Sequence, residues 1–240
     1  MERIDRYQAF IEWERTCGLT YVLAPQPQGE ITQLQKEHSP SRASPLSPEK
    51  AASLEELRAA LEAFEGSPLK KTATHLVFGE GNPQAPLMFV GEAPGADEDR
   101  LGRPFVGVSG QLLDKMLAAI HLDRTQVYIT NILPWRPPGN RTPTTEEMAL
   151  FLPFVRRHIA LVSPRLLCLV GGTAVKALLA RQEGIMRLRG RWFPYESGIE
   201  VLPTYHPAFL LRSPGRKREA WQDFLALHKK LQEDAACPGS

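Results

Sequence analysis

Three short runs of the chain, residues 87–90, 127–129 and 166–170, are apolar without a break, and a fourth at 200–202 follows Glu200 with Val201 and Leu202. A strand with one wet face alternates polar and apolar side chains. A strand covered on both faces does not, and such strands belong to parallel sheets. Between and after the runs lie stretches with helical patterning, at about 109–120, 145–160, 173–181 and 216–232. Strands alternating with helices predict an α/β fold, with a parallel sheet packed between helices.

The domain has a readable start. Ser53 followed by Glu56 forms a capping box, opening a helix with Leu54, Leu57, Leu61 and Phe64 on one face. Upstream, five prolines between residues 25 and 48 sit among Ser, Gln and Lys, which reads as a linker. Ile4, Tyr7, Phe10, Ile11 and Trp13 have roughly helical spacing. The expected organisation is a helical segment at 1–24, a Pro/Ser-rich linker at 25–52 and the α/β domain at 53–240.

Composition mainly excludes. With 29 Lys+Arg against 27 Asp+Glu, the net charge of +2 rules out a polycation but leaves room for a local basic patch. Cys17, Cys168 and Cys237 lie far apart with no C-x-x-C, which argues against a disulfide framework or a Cys-rich zinc site. A reducing, cytoplasmic location is expected. No signal-peptide core and no 18-residue apolar run is present, so no membrane association is expected.

In parallel sheets the ligand site lies beyond the carboxyl ends of the strands, so the residues after each run are the candidates. Gly91-Glu92-Ala93-Pro94-Gly95 places an acid between glycines that let backbone approach a ligand. Phe105 sits in a loop between Gly102 and Gly107, either stacked on a ligand or anchored in the core. Asn131 can read a donor–acceptor edge or cap a turn. His206 alone of the six histidines follows a strand run, and can donate to a developing anion or serve structurally. Gly171-Gly172-Thr173 reads as a helix start. Asp97, Glu98 and Asp99 lack the second acidic cluster that a hard-metal site needs, so no metal is expected.

Positive charge flanks these segments. Arg187, Arg189 and Arg191 alternate with other residues, and in an extended chain they would project to one side at intervals of about 6.6 Å, spacing that suits phosphates. Arg212 follows the His206 segment.

Gly91-Glu-Ala-Pro-Gly, Gly102-Arg-Pro-Phe-Val-Gly, Arg136-Pro-Pro-Gly-Asn-Arg and His206-Pro-Ala-Phe-Leu-Leu-Arg together resemble the signatures of family-four uracil-DNA glycosylases, in the family's order, across about residues 54–231. The resemblance implies a three-layer α/β/α fold around a four-stranded parallel sheet. It also implies hydrolysis of the glycosidic bond of deoxyuridine in base excision repair. Under it, Phe105 stacks on the flipped uracil, Asn131 pairs with its amide edge, His206 holds uracil O2, and Gly91, Ala93 and Gly95 line the pocket. Glu92 handles water or the sugar cation, with Glu98 as the reserve. Leu210 or Leu211 beside Arg212 would fill the gap left in the base stack. The implied partners are uracil-containing DNA and the abasic product, bound by a monomer. The alternative is a module that holds uracil or abasic DNA without turnover.

In one respect the chain departs from the family. Its members usually bind a four-iron cluster through four cysteines, and the matching positions here are Phe64, Ser67, Trp135 and Phe151. No cluster is expected, and the aromatic residues are expected to fill its place.

Overall fold

The computed structural model describes residues 47–236. The segment expected at 1–24, most of the linker, Cys17 and Cys237 lie outside the described residues. The described residues begin slightly before the expected helix. Pro48–Lys50 forms a 3₁₀ turn, and Ala51 is buried, with its carbonyl accepting Arg157 Nε at 2.7 Å.

Helices α1 (Leu54–Ala63) and α2 (Leu69–Thr72) come first. Ser53 caps α1 by accepting the Glu56 amide at 3.2 Å. Then follow β1 (Glu80–Gly81), β2 (Leu87–Gly91), α3 (Ala96–Leu101), α4 (Val108–Ala118) and β3 (Tyr128–Asn131). Next are α5 (Thr145–Val162), β4 (Leu166–Val170), α6 (Gly172–Leu179), α7 (Ile185–Leu188) and β5 (Phe193–Pro194). The described residues end with β6 (Glu200–Thr204), α8 (Pro207–Arg212) and α9 (Lys217–Ala236).

The sheet runs β1-β3-β2-β4-β6-β5. Its four central strands are parallel, in register through pairs such as Phe89 with Cys168 and Cys168 with Leu202. The sheet is therefore wider than the four strands expected. Two-residue β1 and β5 add antiparallel edges. Strands this short carry no periodicity to read, and Pro194, which lacks an amide, is tolerated at an edge.

The apolar runs are explained by their two covered faces. Met88, Val90, Leu167, Leu169 and Val201 pack with α1, α5 and α6. Leu87, Phe89, Leu166, Cys168, Val170 and Leu202 pack against α4 and α9. Odd and even positions thus feed two cores, giving three layers. Burial pushes the Cys168 thiol well above its ordinary range, as expected for an inert strand residue. Among the described residues no helix is long and apolar enough to cross a membrane.

The arginine row does not form. Residues 185–188 turn as a helix, which breaks the two-residue alternation. Arg187 and Arg191 are exposed, whereas Arg189 turns inward and clasps Asp223 of α9, with Nε 3.0 Å from Oδ2. Asp223, 1% exposed, also accepts Thr204 Oγ1 at 2.7 Å. A buried carboxylate that loses its cation is left uncompensated. Arg189→Ala is expected to lower unfolding free energy by about 3–5 kcal/mol, whereas Arg187→Ala leaves it near the wild-type value. Denaturant titration of the two variants checks this.

Candidate active site

All four parallel strands end at one edge, where the segments following β2, β3 and β6 line a cleft of about 590 Å³. Glu92, Phe105, Asn131 and His206 line it together, with Ala93 and Gly95 beside them. Residues scattered over 115 positions in sequence therefore share one cavity.

Asn131 is the last residue of β3 and pairs in register with Gly91 of β2. It is 5% exposed and its Oδ1 has no hydrogen-bond partner. Leaving a buried acceptor unpaired costs about 1–3 kcal/mol. The side chain caps no turn, and its amide offers both an acceptor and donors to a ligand. Gly91 makes room for this arrangement. A Cβ at that position would lie 2.4 Å from Asn131 Oδ1 and 2.5 Å from Phe105 Cζ.

Phe105 has a backbone φ of 53°, a left-handed conformation that a bulky residue adopts only under restraint. The restraint comes from two sides. Glu98 Oε1 accepts the Val106 and Gly107 amides, each at 2.9 Å, while its Oε2 accepts the Gly95 amide at 3.1 Å. Arg124 donates to the Pro104 carbonyl at 3.0 Å and to the Phe105 carbonyl, and is itself paired with Asp114 at 2.7 Å. The ring is anchored in the core and also forms the cleft wall, 5.6 Å from the His206 ring with a 31° tilt between planes. The core-anchor reading of Phe105 holds, and the same ring lines the cleft. Glu98, by contrast, spends its carboxylate on three backbone amides. It clamps the loop from a position that also lines the cleft.

His206 caps α8 by accepting the Ala208 amide on Nδ1 at 3.1 Å. That bond needs a bare Nδ1, so the ring proton sits on Nε2, the nitrogen free to donate. Burial, and secondarily the Arg212 charge, pull the ring's pKa down to about 4. At neutral pH it is an uncharged donor.

Glu92 is half-buried, and its Oε2 accepts Thr173 Oγ1 at 2.7 Å. The reading of Gly171-Gly172-Thr173 as a helix start is right, but it misses this contact. Asn140 and Arg141, within the motif that carries the family resemblance, line the cleft as well. Arg141 is held by Glu147 at 2.6 Å.

Of the two leucines considered for the stack, Leu210 is 1% exposed and packs with Tyr205 and Ala220, so it is excluded. Leu211 is 40% exposed. Adjacent positions on a helix point about 100° apart, enough here to bury one leucine and expose its neighbour. Arg212 is exposed on the cleft wall.

The positions matching the cluster ligands offer three aromatic rings and one hydroxyl, and no thiolate. The Phe151 ring lies 6.0 Å from Phe64 and 5.6 Å from Trp135, both edge to face. Ser67, 2% exposed, accepts the Leu69 amide at 3.3 Å. These residues do not fit a four-iron cluster, which needs thiolate ligands. Among the described residues no group of three or more His, Cys, Asp or Glu could hold a metal ion.

The family model described as the uracil DNA glycosylase superfamily matches residues 78–225, so the chain belongs to that superfamily. It is 38% identical over 194 residues to the type-4 uracil-DNA glycosylase of Sulfurisphaera tokodaii, covering 78% of this chain and 86% of that one. Over 147 residues it is 41% identical to the type-4 enzyme of Thermotoga maritima, covering 61% and 77%. A type-5 uracil-DNA glycosylase of Thermus thermophilus is 30% identical over 206 residues, covering 78% and 92%.

Gly91→Ala tests the packing at the centre of this site. The new methyl must displace either the Asn131 amide or the Phe105 ring, so affinity for free uracil is expected to fall by about tenfold or more, the scale of one lost buried hydrogen bond. Calorimetric titration with uracil measures it.

Proposed function

We propose that this protein is a hydrolase that cleaves the N-glycosidic bond of deoxyuridine in DNA, releasing uracil and leaving an abasic site for base excision repair. One observation carries the reading: a buried Asn131 amide with an unpaired oxygen, facing the same cleft as Phe105 and a neutral His206. Uracil presents an N3–H donor beside an O4 acceptor, and the Asn131 Oδ1 and Nδ2 complement that pair. Cytosine reverses both groups and leaves the amide unsatisfied, a mismatch that sites of this kind reject strongly.

The base must leave the stack to reach the cleft, at a cost of a few kcal/mol. Leu211 fills the gap, while Arg212, Arg187 and Arg191 meet the phosphates. Phe105 stacks on the extruded ring. As the C1′–N1 bond breaks, its electron pair moves into the uracil, and His206 Nε2–H stabilises the growing charge on O2. The sugar becomes cationic at C1′. Glu92 orients the water that attacks there, and the water's proton is lost to solvent. Gly91, Ala93 and Gly95 keep backbone close to the base without blocking it. The protein works as a monomer in the cytoplasm, where its DNA lies, and it binds no membrane.

Excess protein incubated with a labelled uracil oligonucleotide should give alkali-labile strands, and none from the cytosine counterpart. His206→Ala should cost about 10²–10³ in single-turnover rate, the usual loss for one oxyanion donor. The rate should stay flat through pH 6.5, because His206 is already neutral there, and fall only as pH approaches about 4 and Nδ1 takes up a proton. A histidine-like inflection near 6.5 contradicts the neutral donor.

The same reading holds that no iron–sulfur cluster takes part. The packed rings of Phe64, Trp135 and Phe151 support it. The purified protein should be colourless and keep its activity after chelation, whereas brown protein with stoichiometric iron overturns this. Trp135→Ala, which opens that packing, should cost about 3–5 kcal/mol of stability by chemical denaturation.

A further inference from the structure

Glu92 is a long side chain on a loop, yet its surroundings constrain it. Its carbonyl accepts the Leu133 amide at 3.1 Å, fixing the main chain. The only side-chain partner it has among the described residues is Thr173, whose Oγ1 donates to Oε2 at 2.7 Å from a segment 81 positions away. We propose that Thr173 is a positioning residue for hydrolysis. It holds one oxygen of the Glu92 carboxylate so that the other is presented to water in the cleft. The inference rests on the assignment of Glu92 to the water.

The placement of Thr173 is itself built into the sheet. Gly171 follows β4 with φ at +98°, a conformation that strains any L side chain, and so turns the chain directly into α6. Its amide donates to the Thr204 carbonyl at 2.9 Å, tying the turn to the end of β6. A Cβ on Gly171 would lie 3.2 Å from His206 Cβ. One turn therefore abuts the base-side donor, His206, and holds the water-side acid, Glu92. One connection thus touches both groups, in addition to the bonds that fix each of their own loops. A threonine at that point loses little freedom, because its branched Cβ restricts χ1 within a helix. A hydroxyl donating to a carboxylate makes a short, charge-assisted bond. No other feature of α6 requires a hydroxyl at this position.

Single-turnover cleavage of a uracil oligonucleotide tests this with Thr173→Val, Thr173→Ser, Glu92→Gln and the Val/Gln double variant. Valine keeps the shape and removes the donor. It should slow the chemical step by about ten- to a hundredfold, the scale of a misplaced reacting group, with affinity for an abasic-analogue duplex unchanged. Serine, which keeps the hydroxyl, should restore most of the rate. If Thr173 acts only through Glu92, valine should add no further loss in the Glu92→Gln background. Wild-type rate in Thr173→Val overturns the inference. So does an equal loss in both backgrounds, which marks a merely structural residue. Glu92→Gln at wild-type rate removes the water assignment itself, and is read separately from the Thr173 result.

Discussion

Parallel strands cannot be joined by tight turns. Each must return to the opposite end of the sheet through a crossover of a dozen or more residues. That requirement governs this molecule. It places the carboxyl ends of β2, β3, β4 and β6 at one edge, and with them Glu92, Asn131, Thr173 and His206. The order β3-β2-β4 adds a second consequence. The chain leaves β2 to one side for β3 and returns on the other side for β4, so the loop after β2 opens at the point where the winding reverses. The crevice exists before any side chain is specified.

Side chains then make the crevice selective, and most of that work is done on backbone. Glu98 and Arg124 between them bind the amides and carbonyls from Pro104 to Gly107, holding Phe105 in a conformation it would not choose. The ring is consequently fixed in the cleft wall, and little of its own ordering entropy would remain to be lost on binding a ligand there. His206 follows the same logic. Its cap on α8 fixes the tautomer, and burial removes the charge, so a flat ring with one outward N–H is the resting state.

Much of this was legible in the sequence because apolar runs covered on both faces leave a plain signal. The strand at 166–170 agrees residue for residue, and the four long helices agree to within a few residues at their ends. The cleft was legible too, since strand ends are where ligands bind. What failed were inferences that needed side-chain direction. Arg187, Arg189 and Arg191 alternate equally well in a strand or in a helical turn followed by a bend, and only the latter buries Arg189 on Asp223. Leu210 and Leu211 are chemically alike and differ only in the face of α8 they occupy. The clamp made by Glu98 was not legible, because its partners are backbone amides, which composition cannot display. The bond between Thr173 and Glu92 spans two strand ends and leaves no local pattern.

The aromatic packing around Phe151 bears on how the molecule comes into being. Phe64, Trp135 and Phe151 are laid down with the chain itself, so this corner of the fold is finished when synthesis and folding are finished. A metal-pinned corner depends on delivery by other proteins and on the supply of the element. It also gives oxidants a place to attack. Hydrocarbon packing escapes those dependencies and takes on another: it tolerates changes of charge nearby but not changes of volume. A substitution at these positions is therefore felt through the volume and shape of the side chain.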